Sequence, residues 1–80
     1  MNVGMLWLDD DKKRPLEEKV QRAADYYREK YGRPPELCLV NSKMLPEKKK
    51  VGEIDVQPLN TVLLHHFWLG MKVSPGIRDN

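Results

Sequence analysis

The spacing of apolar residues changes along this chain, and each spacing predicts a different element. Between Val3 and Leu8 the run is apolar throughout. In an extended strand Val3, Met5 and Trp7 point to one face, and Gly4, Leu6 and Leu8 to the other. Apolar residues on both faces predict a central strand covered from both sides. The hexad Asp9-Asp10-Asp11-Lys12-Lys13-Arg14 then ends the run as a polar loop.

The period next becomes helical. Leu16, Val20, Ala23, Ala24, Tyr27 and Tyr31 form a single stripe at helical spacing. Pro15 suits the first helical position, where its missing N–H costs nothing. Glu17 and Glu18 in the first turn, and Arg28 and Lys30 near the end, match the helix dipole. Gly32 is a natural left-handed stop, and Pro34-Pro35 prevents the helix from resuming. The pattern predicts a helix over Pro15 to Tyr31.

Glu36 to Val40 is a short run that is apolar on both faces, with Leu37 and Leu39 opposite Cys38 and Val40. Strand, helix and strand within so short a span predict a β-α-β unit with parallel strands and a right-handed crossover. Glu47 to Lys50 reads as a charged loop. Glu53 to Gln57 alternates, with Ile54 and Val56 inward, and Pro58 marks an edge or a strand end. Residues 61–73 are open between strand and short helix; Gly70 and the Phe67-Trp68 pair tilt the reading toward a strand from His66 to Lys72. The sum is one domain over residues 1–73 with a flexible tail at 74–80. Its expected class is a small α/β or α+β fold of β-α-β-β(-β) order, one helix packed on a mixed sheet of three to four strands.

Composition narrows the setting. A chain of 80 residues has room for one core, and such a core is marginal without a staple. The lone Cys38 supplies no disulfide and no zinc knuckle, and fits a reducing compartment. No basic leader precedes an apolar run, and no run approaches the roughly 20 residues that cross a bilayer. The expectation is a cytoplasmic protein with no membrane partner. Lys and Arg number 14 against 12 acidic residues, a net charge of +2, which is too small an excess to announce nucleic acid.

Three clusters carry candidate chemistry. Ligands of open parallel sheets bind beyond the carboxyl ends of strands, where this chain places Asp9, Asp10 and Asp11, followed at the second strand by Asn41 and Ser42. With His66, these aspartates are candidate ligands for Mg²⁺ or Mn²⁺, hard cations that take oxygen donors and activate water for phosphoester chemistry. At fold level, a strand ending in aspartate before a helix resembles small metal-dependent nucleases of ferredoxin-like shape, although the second helix of that fold is missing. The competing reading is a solvated loop whose aspartates make turns, with no cofactor. His65 and His66, adjacent in a strand, point to opposite faces and do not share one ion. Lys48, Lys49 and Lys50 are candidate phosphate contacts, set against a solvated loop beside Glu47 and Glu53. Glycine-rich nucleotide loops of either common type are absent from the sequence.

The strongest functional expectation comes from coverage. One helix shields one face of a sheet, yet both strands are apolar front and back. The uncovered face would amount to an apolar patch on the order of several hundred Å², the size that marks an interaction surface. Unless the Phe67-Trp68 segment folds across it, a second copy or another protein must. The sequence therefore predicts a non-enzymatic, oligomeric interaction or adaptor module, most simply a homodimer, with Trp7, Phe67 and Trp68 at the partner surface. A metal-dependent phosphoesterase or nuclease, and a nucleic-acid-binding module, are the alternatives.

Overall fold

The computed structural model describes residues 4–72. Five strands and one helix follow in the order β1 (Met5–Leu8), α1 (Leu16–Tyr31), β2 (Leu37–Val40), β3 (Lys49–Val51), β4 (Ile54–Pro58) and β5 (His66–Gly70). They form one mixed sheet in the order β1-β5-β2-β4-β3, with α1 packed on one side. The architecture is a small α+β domain, and its sheet is one strand wider than the sequence predicted. The expected tail at 74–80, and Val3 of the first strand, lie outside the described residues.

Helix α1 forms where its stripe predicts. Pro15 is the N-cap, with φ −68° and ψ 161°, and its carbonyl accepts the Lys19 N–H at 3.0 Å. This places the proline one position earlier than expected, where its ring still precedes the first helical residue without displacing a hydrogen bond. Gly32 closes the helix at φ 83°, donating its N–H to the Arg28 carbonyl at 2.7 Å. Val20, Ala23, Ala24 and Tyr27 bury the helical stripe against Cys38, Val40, Val56, Phe67 and Leu69, which are all sealed from solvent.

The order of strands corrects the simple β-α-β reading. β1 and β2 do run parallel to each other, but they are not neighbours, because β5 lies between them and pairs antiparallel with both. β5 is an internal strand with Phe67 and Leu69 wholly buried, and β1 is pushed to the sheet edge. Its two apolar faces therefore do not signal a doubly covered centre. Met5 is buried under the helix, while Leu6 and Leu8 on the other face stay 60% and 57% exposed. The Phe67-Trp68 segment does not fold across the open face; it is threaded into the sheet itself.

The other edge also departs from expectation. Lys49–Val51 is a strand, not a charged loop, and pairs antiparallel with β4 through Val51 opposite Ile54. Gly52 and Glu53 make the two-residue turn, with Gly52 at φ 60°, where a II′ hairpin turn requires glycine. Glu53 thus belongs to the turn, and β4 begins at Ile54. Pro58 ends β4, a strand that is internal to the sheet and parallel to β2.

Candidate interaction surface

The helix-free face of the sheet is built from alternate residues of its strands. β1 supplies Leu6 and Leu8, β5 supplies His66 and Trp68, β2 supplies Leu37 and Leu39, and β4 supplies Asp55 and Gln57. The face is therefore apolar toward β1 and polar toward β3. At the polar end Asp55 pairs with Lys72 and, at 3.7 Å, with Lys50. The hydrogen bond from Lys72, aided by the charge of Lys50, holds the Asp55 carboxyl below the usual range.

Trp68 is fixed at the centre of the apolar end by the absence of side chains around it. Its indole lies over Gly4, just before β1, and Gly70 on β5, and a Cβ at either glycine would overlap the ring. The register sets Gly4 one step beyond the Met5–Leu69 pair, opposite Gly70. Two facing glycines thus make a shallow bed for one aromatic ring, and the ring covers backbone that glycine would leave bare.

The segment after β4 returns along the same face and turns the flat surface into a groove. Leu59 donates its N–H to the Val40 carbonyl at 2.8 Å, and the Asn41 side-chain amide donates to the Val62 carbonyl at 2.7 Å. Ser42 and Asn60 are hydrogen-bonded side chain to side chain. The segment ends at His65, which takes φ 66°, and at His66, whose Nδ1 lies 2.9 Å from the Leu64 carbonyl. Between this segment and the strands lies a groove of about 460 Å³ lined chiefly by Leu6, Leu39, Leu59, Val62, Leu63 and Trp68. Around it Leu63 is 67% and Leu64 46% exposed.

The other sequence candidates are dispersed. Asp9 is buried and takes both Nη1 contacts of Arg14, at 3.2 and 3.3 Å; it also accepts the Asp11 N–H. Arg14 further reaches Asp11 at 3.2 Å and Glu18 at 3.5 Å, and Asp11 accepts the Lys13 N–H at 2.8 Å. Asp10 is exposed. The cluster thus forms an arginine-centred turn leading into α1. His66 is on the opposite face of the sheet from the Asp9 side chain, beside Leu8. Among the described residues no group of three or more histidine, cysteine or acidic side chains is arranged to hold a metal ion.

The lysines are divided too: Lys49 pairs with Glu17 of α1, Lys50 with Asp55 on the open face, and Lys48 precedes the strand. Of the aromatic candidates, only Trp68 belongs to the groove. Phe67 is core. Trp7 lies under the helix at the sheet edge, 4.6 Å from Tyr26 in an edge-on arrangement, with its buried Nε1 lacking a hydrogen-bond partner among the described residues. Leu59, Leu63 and Leu64 carry no site signal in the sequence, because leucines in an aperiodic stretch have no face assignment until the backbone is known.

No family model matches this chain, and no curated protein or solved structure is significantly similar to it. Among the described residues no helix is long and apolar enough to cross a membrane.

Proposed function

We propose that this chain is a non-enzymatic interaction module that works as a homodimer through strand β1 and the apolar face that it borders. The observation that carries this reading is the exposure of Leu6 and Leu8, 60% and 57%, on an ordered strand beside a leucine-lined groove. Exposed leucines scattered singly need no explanation; leucines contiguous with a groove and a half-buried tryptophan form a patch. A small core adds buried area by association, at about 25 cal/mol per Å² of apolar surface.

The test is sedimentation equilibrium over a wide concentration range, with the chain and with the double variant Leu6→Lys and Leu8→Lys. Association that is lost in the variant, while its circular dichroism is unchanged, supports the reading. A wild-type monomer at every concentration overturns it.

The aspartate turn favours no metal-dependent reaction, since Asp9 and Asp11 are engaged by Arg14 and His66 faces away. The lysine triplet favours no nucleic-acid surface, since Lys49 and Lys50 each face a carboxylate.

A further inference from the structure

The sheet has two outer strands, and they differ in how they are guarded. β3 is three residues long and carries Lys49 and Lys50 beside Lys48, the charged and short kind of edge that resists pairing. β1 is Met-Leu-Trp-Leu, without a charge, a proline or a bulge. Its outer side has no strand partner among the described residues.

Which groups face outward follows from the register. Asp9 donates its N–H to the His65 carbonyl at 2.9 Å, and this pair continues the β1–β5 ladder. Hydrogen-bonded and non-bonded pairs alternate along an antiparallel ladder. Trp7–Phe67 and Met5–Leu69 are therefore bonded pairs, and Leu8–His66 and Leu6–Trp68 are not. The N–H and C=O groups of Leu6 and Leu8 consequently point away from β5, off the edge of the sheet. The neighbouring strands agree. Asp55 donates to the Glu36 carbonyl and Leu59 to that of Val40, which leaves Leu37 and Leu39 to bond β5.

The geometry points to a second copy of this chain as the occupant of that edge, paired antiparallel about a two-fold axis at Trp7. This rests on the homodimer reading above and specifies its contact. The sequence Leu6-Trp7-Leu8 is the same read in either direction. An antiparallel partner set Trp7 to Trp7 therefore brings Leu6 opposite the partner's Leu8, and Leu8 opposite the partner's Leu6. These are the positions whose backbone groups face outward, so each leucine pair exchanges two hydrogen bonds. Opposed side chains in such a pair lie on the same face. The four leucines then meet on the helix-free side, where they are exposed in the single chain. The two grooves come to lie side by side in one continuous sheet, and the helices share the other side.

Leu8→Pro tests this directly. Proline removes only the N–H at position 8, which points outward, so the strand still pairs with β5. By symmetry the substitution deletes two hydrogen bonds of the dimer. The dimer dissociation constant should rise at least about tenfold, with the monomer's circular dichroism unchanged. Amide hydrogen exchange gives a reading that needs no variant. The Leu6 and Leu8 amides should be protected at concentrations where the chain is dimeric and exchange freely on dilution to monomer. A dimer whose Leu6 and Leu8 amides exchange freely overturns the edge pairing and leaves the homodimer reading standing. Protection of these amides in the diluted monomer likewise overturns the edge pairing alone, whereas a monomer at all concentrations overturns both.

Discussion

The indole of Trp68 occupies the space a side chain at Gly4 would need, across the junction of β1 and β5. Neither Gly4 nor its facing Gly70 has positive φ, so at both positions glycine is required by the ring above and not by the backbone. Gly4→Ala should therefore displace Trp68 and destabilise the fold by about 1–3 kcal/mol, the cost of overpacking. Urea denaturation measures the loss, and a red-shifted tryptophan emission reports the displaced ring. In a Trp68→Leu background the same alanine should cost little, because the ring it strikes is gone. An equal cost in both backgrounds would show that the glycine acts through something else.

Arg14 gathers the aspartate loop, and it fixes what substitution there should do. Asp9 is buried with its carboxylate on the Arg14 guanidinium. Removing Arg14 leaves the buried Asp9 carboxylate without its cation, so Arg14→Met should destabilise by about 1–3 kcal/mol, and Asp9→Asn should cost less, because Arg14 keeps Asp11 and Glu18. Their double variant should cost less than the sum. Added Mg²⁺ or Mn²⁺ should leave the melting temperature of the wild type unchanged. A rise that disappears in Asp9→Asn would reinstate the aspartates as metal ligands.

What was legible in the sequence followed from local chemistry. The helical stripe with Pro15 before it and Gly32 after it encodes α1, because caps and period act within one turn. Strands β2, β4 and β5 carry their own alternation or apolar runs. Strand order was not legible. An apolar run on both faces is equally consistent with a central strand and with an edge strand that has one open face. Only long-range pairing decides that β5, not β2, lies beside β1. The lysines of β3 hid a strand for a related reason. An edge strand tolerates charge, so Lys49 and Lys50 read as loop until Gly52 is seen to turn them back on Ile54. For the candidate surface, the uncovered face and Trp68 were legible, whereas the leucines of 59–64 were not. Their placement depends on hydrogen bonds from Asn41 and Ser42, some twenty residues away along the chain, which no local pattern connects with them.

Asp55 and Glu17 tie stability to acidic pH. Each carboxyl is lowered chiefly by a lysine hydrogen bond, from Lys72 to Asp55 and from Lys49 to Glu17. A carboxyl lowered in the folded state binds fewer protons there than in the unfolded chain. Its contribution is present above the unfolded value and is lost as pH falls through the folded one. Thermal stability should fall as pH drops below the ordinary carboxyl values, 4.5 for Glu17 and 3.8 for Asp55. Asp55→Asn and Glu17→Gln should each flatten that fall, and added salt should shrink the difference, because these pairs are open to solvent. Identical acid profiles for wild type and both variants would remove the ion pairs from the account.

Cys38 makes the opposite prediction at alkaline pH. Its side chain is sealed in the core on β2, and burial pushes the thiol up to about 12, from 9.0 in its ordinary setting. The folded state therefore holds the proton more tightly than the unfolded chain. The stability this supplies is complete below the ordinary value and is lost as pH rises from there toward the folded one. Wild type should lose stability faster than Cys38→Ala over that window, a comparison in which the lysines and Tyr27 are common to both chains. Native protein should also resist thiol alkylation at neutral pH and react only in denaturant, since the nucleophile is the thiolate. Rapid modification of the folded chain would mean that β2 opens readily, and the central position of Cys38 under α1 would then be wrong.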